Sequence, residues 1–65
     1  MNLSSLKMRV WEILDKREPG KWVFGTVNRE FSAALNDEYT AEAIAEVMLK
    51  RANTARIADK LRREA

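Results

Sequence analysis

The sequence predicts a mainly α-helical fold, a small bundle of three to four helices. Apolar residues recur at helical spacing in several segments, which is the pattern of amphipathic helices. One Pro-Gly pair and a few polar residues separate these segments, and the one run that favours a strand is three residues long. Since 65 residues make one domain at most, we expect residues 1–65 to form a single unit.

The first helix is predicted over residues 4–17. Its apolar positions are Leu3, Leu6, Val10, Ile13 and Leu14, with Met8 and Trp11 beside them and Met8 expected to fill space in the core. Ser4 or Ser5 is suited to cap its start, because a serine oxygen accepts a bond from a free first-turn amide. Pro19-Gly20 then ends the helix and turns the chain.

A short strand or buried extended segment is predicted at residues 22–24. Trp22-Val23-Phe24 places two aromatic residues and a β-branched one in a row, between Gly20 and Gly25. A lone strand needs a pairing partner from elsewhere in the chain. We interpret the rings of Trp11, Trp22 and Phe24 as core side chains rather than as surfaces on which bases stack.

Two further helices are predicted over residues 26–35 and 40–52. Val27, Phe31, Ala34 and Leu35 give the first its apolar face, and Thr26 is its candidate cap. Thr40 is the candidate cap of the second, in which Ile44, Ala45 and Met48 face inward together with Val47 as a further candidate.

A break in the helix is predicted at Asn53-Thr54, because both residues are good N-caps. A last helix over residues 53–64 would carry Ile57, Ala58 and Leu61 on one face. Arg56, Lys60 and Arg63 would share another face. The alternative is one continuous helix over residues 40–64, since an asparagine inside a helix costs only about half a kcal/mol.

Charge is segregated along the chain, although the net charge is only +2. Residues 1–33 carry +2, residues 34–49 carry −4 and residues 50–65 carry +4. The acids of the middle segment are Asp37, Glu38, Glu42 and Glu46. A basic C-terminal segment favours contact with phosphates, whereas the acidic segment favours a protein partner.

Residues 40–64, TAEAIAEVMLKRANTARIADKLRRE, resemble a helix-turn-helix, with Ala45 as the small residue of its first helix and Leu49-Lys50-Arg51-Ala52 in place of the usual turn glycine. The order helix, short strand, helix and helix-turn-helix is similar to winged-helix domains of small transcription regulators. In a second register, residues 26–35 and 40–52 form the helix-turn-helix, and ARIADKLRR is a wing strand that pairs with residues 22–24. Whether a wing follows Ala65 stays open.

The resemblance implies binding to double-stranded DNA, as a small transcriptional regulator. In this motif the second helix lies in the major groove and proteins bind as two-fold dimers, so we expect a homodimer through the first helix around Trp11. Arginine and lysine neutralise phosphates, whereas Asn53 and Arg56 are suited to adenine and guanine. The predicted DNA-binding residues are Lys50, Arg51, Asn53, Thr54, Arg56, Lys60, Arg62 and Arg63.

Composition argues against several other functions. The chain has no cysteine and no histidine, which removes the usual zinc ligands and the usual nucleophile and base arrangements. We therefore expect no enzyme, no metal and no cofactor, and the lack of cysteine favours a cytoplasmic protein. No apolar run approaches the roughly 20 residues that cross a bilayer.

Two alternative functions remain from the sequence. One is a small helical protein–protein interaction module, an inhibitor or adaptor that uses residues 34–49 or the basic last helix. The other is binding of single-stranded nucleic acid with Trp22 as a stacking residue.

Overall fold

Three helices form the fold in a computed structural model that describes residues 3–36 and 40–64. They are α1 (Leu3–Arg17), α2 (Phe24–Ala34) and α3 (Ala41–Glu64). The prediction of a mainly α-helical bundle is confirmed. Within these two ranges no residue is in a β-strand, so the predicted strand at residues 22–24 and the wing strand ARIADKLRR are both wrong.

Helix α1 begins one residue earlier than predicted, at Leu3, and ends as predicted at Arg17. Ser4 and Ser5 therefore lie inside its first turn and not at the capping position. The last turn closes through a bond from the Glu18 amide to the Leu14 carbonyl (2.8 Å). Gly20 follows with φ of +74°, a left-handed conformation that glycine adopts without a steric penalty.

The segment between α1 and α2 is extended only locally. Val23 has β-region dihedral angles (φ −102°, ψ 154°), but it is the N-cap of α2, and helix α2 starts at the next residue, Phe24. A lone strand here would leave its backbone groups unpaired, whereas helix formation satisfies them. Thr26 consequently lies within the first turn of α2 and does not cap it.

Helix α3 starts where the sequence predicted and does not break. The Thr40 hydroxyl accepts a bond from the Ala43 amide (3.2 Å), which confirms Thr40 as the cap. The helix then continues through Asn53 and Thr54 to Glu64, so the predicted break is wrong and the long-helix alternative is confirmed. No glycine or proline interrupts it, and the Thr54 hydroxyl donates to the Lys50 carbonyl one turn back (3.0 Å).

The core lies where α1 and α2 meet the first half of α3. It consists of Val10, Leu14, Trp22, Val27, Phe31, Ala34, Ala41, Ile44, Ala45 and Met48, with Val47 only half-buried beside it. Two predicted core residues are wrong: Met8 is exposed, and 62% of the Phe24 surface is exposed to solvent. Their positions fall on the outer sides of α1 and α2, because only about a third of each helix surface contacts the bundle.

The molecule is elongated because α3 is longer than its bundle partners. Its 24 residues span about 36 Å, whereas the 15 residues of α1 span about 22 Å. Every residue from 53 to 64 is exposed. The radius of gyration is 12.6 Å, against about 11 Å for a compact chain of this length. Residues 53–64, named the projecting segment below, therefore extend beyond the core.

Candidate nucleic-acid interface

All eight predicted DNA-binding residues lie on α3 and are exposed to solvent. They are Lys50, Arg51, Asn53, Thr54, Arg56, Lys60, Arg62 and Arg63. Because α3 is continuous, these residues occupy one helix and do not belong to a helix-turn-helix with a break at Asn53. Six of them lie on the projecting segment, where no other helix covers them.

The projecting segment has two distinct faces. Asn53, Arg56, Lys60 and Arg63 follow one another at spacings of three and four residues, so they share one side of the helix, named the basic face below. A second set, Val47, Thr54, Ala58 and Leu61, lies on another side and is named the apolar stripe. Val47, at the start of the stripe, is half-buried against the core, whereas Thr54, Ala58 and Leu61 are exposed.

Arg56 anchors the projecting segment to the rest of the molecule. Its guanidinium donates two hydrogen bonds to the Glu18 carboxylate, at 2.9 and 3.3 Å. Glu18 also accepts a bond from the indole nitrogen of Trp22, at 2.8 Å. Only 19% of the Glu18 side chain is exposed, and Trp22 is 7% exposed. The pair therefore joins the start of the projecting segment to the loop that follows α1.

The same contacts alter the protonation of Glu18. Hydrogen bonds from Arg56 and then from Trp22 hold the pKa of its carboxyl group below the ordinary value of 4.5, and the charge of Lys21 adds to the effect. In return, the hydrogen bonds and charge of Glu18 raise the pKa of Arg56 above its ordinary value. Lys21, which the sequence analysis did not include among the site residues, lies near enough to Glu18 to act on it.

The other site residues differ in their partners. Arg51 approaches Glu30 at 3.9 Å and Arg63 pairs with Asp59 one turn away at 3.2 Å. Among residues 3–36 and 40–64, the side chains of Lys50, Asn53, Lys60 and Arg62 make no hydrogen bond or ion pair. The cations Lys50, Lys60 and Arg62 can therefore bind a ligand without first breaking an ion pair within the described residues.

Two acids in the first half of α3, Glu42 and Glu46, pair with arginines of α1. Arg9 donates to Glu42 at 3.2 Å, and Arg17 pairs with Glu46 one helical turn further along α3. The backbone amide of Glu42 and then Arg9 lower the pKa of Glu42 below 4.5. Asp37 and Glu38 lie outside the described residues. The acidic character of residues 34–49 is thus reduced by intramolecular pairing.

Trp11 of α1 and Phe24 of α2 form an aromatic patch where the two helices meet. The rings of Trp11 and Phe24 are 5.9 Å apart and tilted by 40°, and the Lys7 ammonium lies 5.5 Å from the Phe24 ring centroid. Lys7 also donates to the Asn28 side chain at 2.7 Å. Trp11, expected at a dimer interface, is half-buried and already in contact with Phe24.

The Glu18–Arg56 pair was the main feature that sequence reasoning missed. The two residues are separated by 38 positions, and no local pattern connects them. The Glu18–Trp22 spacing of four residues gives no reliable signal either, since Pro19-Gly20 lies between them.

Other kinds of site and known proteins give no further guide. Among the described residues, no group of three or more acids, histidines or cysteines could hold a metal ion. No helix in these ranges is long and apolar enough to span a membrane. No protein-family model matches the chain, and no curated protein or solved structure is significantly similar to it.

Proposed function

We propose that this protein binds double-stranded DNA through the basic face of α3, as a small transcriptional regulator. The observation that carries the proposal is the projecting segment itself. It is a helix of twelve exposed residues, of which Arg56 bonds to Glu18, and it presents Asn53, Arg56, Lys60 and Arg63 on one side. An exposed cationic helix is one element that DNA-binding proteins place in a groove.

The dimensions of the segment suit the major groove. A helix with its side chains is about 10–12 Å across, and the groove is about 12 Å wide. The segment is about 18 Å long. It can therefore enter the groove without a clash between DNA and the three-helix core, which lies at the other end of α3.

Two kinds of contact follow from the side chains. Lys60, Arg62 and Lys50 can contact phosphates, which gives affinity without sequence preference and releases counterions. Asn53 can form two hydrogen bonds with adenine. Arg56 can reach guanine only after it leaves Glu18, so its use in base recognition carries the cost of an unpaired carboxylate.

The structure gives less support to the two alternatives. Single-strand binding through Trp22 would require an exposed ring, but this indole is buried and its nitrogen is bonded to Glu18. A protein partner for residues 34–49 would have to compete with Arg9 and Arg17 for the acids of that segment. On the basic face, Lys60 has no carboxylate partner among the described residues, so a ligand would not have to displace one.

The test is fluorescence anisotropy of a labelled random 20-base-pair duplex, titrated with the full chain at several salt concentrations. We expect affinity to fall steeply with salt, with a slope of about −3.6 in log K against log salt for four phosphate contacts. Lys60→Gln is expected to lower the affinity several-fold and to reduce the slope by about one unit.

Arg29→Gln is the matched control. It removes one positive charge from an exposed position on α2, away from the projecting segment, so it should leave the affinity almost unchanged. Equal losses with both variants would show that only net charge matters. No binding at low salt would overturn the proposal.

A further inference from the structure

Beyond Val47, which packs against the core, the apolar stripe on α3 is exposed to solvent. At its C-terminal end Leu61 is 63% exposed, and Ile57 at its edge is 52% exposed. Val47 is half-buried and starts the stripe beside the core. The Thr54 hydroxyl is bonded within the helix, to the Lys50 carbonyl, so this residue does not need water as a hydrogen-bond acceptor.

The stripe has the spacing of a helix–helix seam. Val47, Thr54 and Leu61 recur every seven residues, the period at which one face of a helix stays against a partner helix. Thr54 is at the midpoint of this set. A second α3 that runs antiparallel across Thr54 therefore places Val47 against Leu61 of the second copy, and the reverse contact repeats by symmetry.

Charges at the edges of the stripe favour this antiparallel arrangement. Glu46 and Lys60 lie on the same edge, 14 residues or about 21 Å apart, so they are too distant to interact within one chain. In the antiparallel pair each Glu46, which also pairs with Arg17 of its own chain, faces Lys60 of the second copy and can accept bonds from both cations through its two oxygens. On the other edge Arg51 faces Ala58 of the second copy, so no like charges are directly opposed.

A parallel arrangement is less suitable. It would place Lys50, which lies between Val47 and Thr54 in the stripe, directly beside Lys50 of the second copy. In the antiparallel arrangement the same lysine lies beside Ile57 and Ala58. Its aliphatic stem can cover these side chains while its ammonium reaches water.

We infer that the apolar stripe binds a second copy of this chain, as an antiparallel α3–α3 dimer with its two-fold axis near Thr54 and Glu46–Lys60 pairs at both ends. The inference does not depend on DNA binding. It also moves the dimer interface from α1, where Trp11 already contacts Phe24, to α3.

The basic faces of the two copies then lie on one side of the dimer. The two-fold axis of this dimer is perpendicular to the plane that contains the two α3 helices. Each edge of one apolar stripe therefore lies on the same side of the dimer as the corresponding edge of the other stripe. Lys60 and Asn53 of both copies therefore border a common surface, while the two cores lie at its outer ends. Since the stripe is only about four turns long, the interface is smaller than the roughly 800 Å² per partner of standard complexes, and the dimer is expected to be weak.

Sedimentation of the full chain over a concentration range, without DNA, tests the inference. We expect the mass to rise from 7.5 kDa toward twice that value over tens to hundreds of micromolar. Leu61→Asp should keep the protein monomeric over that range. Leu3→Asp is the matched control, because Leu3 is 61% exposed but lies on α1, and it should dimerise as the original chain does.

Charge reversal tests the orientation. Glu46→Lys and Lys60→Glu should each weaken the dimer, and the double variant should recover part of the loss, because the reversed pair forms again between copies although Glu46→Lys also loses the Arg17 pair within each chain. Circular dichroism checks that each variant keeps its helices. A monomer at every concentration, a dimer that Leu61→Asp leaves intact, or a double variant without recovery would each overturn the inference.

Discussion

The two halves of α3 have similar helix-forming residues but very different surroundings. In the first half, Ala41, Ile44, Ala45 and Met48 are buried against α1 and α2. In residues 53–64 no side chain is buried, although Ile57 and Leu61 are as apolar as those of the first half. The comparison teaches that helical periodicity predicts a helix, whereas burial depends on how far the neighbouring helices extend.

A matched pair of isoleucine substitutions gives the largest expected difference between the halves. Ile44→Ala should lower the free energy of unfolding by about 2–5 kcal/mol, because it leaves a cavity in the core. Ile57→Ala should change it by no more than about 0.5 kcal/mol at a concentration where the chain is monomeric. Urea unfolding followed by circular dichroism measures both, and similar losses would show that the second half is also packed.

The contact between Arg56 in the second half of α3 and Glu18 gives a smaller expected change in stability. Glu18→Gln removes the charged acceptor of Arg56 and Trp22, and the expected loss is about 1 kcal/mol at pH 7. Because the pKa of Glu18 is lowered in the folded state, its ionised form stabilises the protein above the unfolded value near 4.5. This contribution is lost as the pH falls through the lower folded value.

The pH dependence of unfolding checks this sign. The difference in stability between the original chain and Glu18→Gln should be constant near neutral pH and shrink below about pH 4.5. Glu12→Gln is a suitable control, since Glu12 is exposed on α1 and makes no ion pair among the described residues. A difference that grows in acid would contradict the assigned role of Glu18.

The smallest expected change in stability is at Asn53, where the two halves of α3 meet. If α3 is continuous, Asn53→Ala should stabilise the protein by about 0.5 kcal/mol, because alanine has the higher helix propensity. If Asn53 instead caps a separate helix, the same substitution should destabilise by about 1 kcal/mol. Thermal unfolding gives the sign directly, and Asn28→Ala does not serve as a control because Asn28 bonds to Lys7.

Most of the core and the positions of the helices could be predicted from the sequence, although the last helix was predicted to break at Asn53-Thr54. Apolar residues at helical spacing placed Val10, Leu14, Phe31, Ile44 and Met48 inside. Thr40 marked the start of α3, because its hydroxyl can satisfy a first-turn amide with no help from distant residues. Charge indicated the six cations of the C-terminal region, but the predicted break at Asn53 divided the eight candidate site residues between two helices.

Tertiary structure decided the rest. Trp22-Val23-Phe24 has the composition of a strand, but no partner strand exists in the described chain, and Trp22 inserts into the helical core. Asn53-Thr54 has the composition of a helix start, yet α3 passes through it as part of one helix. Arg56 is held by Glu18, 38 residues away. Local propensities differ by only about half a kcal/mol at such positions. Contacts between distant residues therefore decide the outcome at Trp22 and Arg56, whereas at Asn53-Thr54 the helix continues through its own hydrogen bonds.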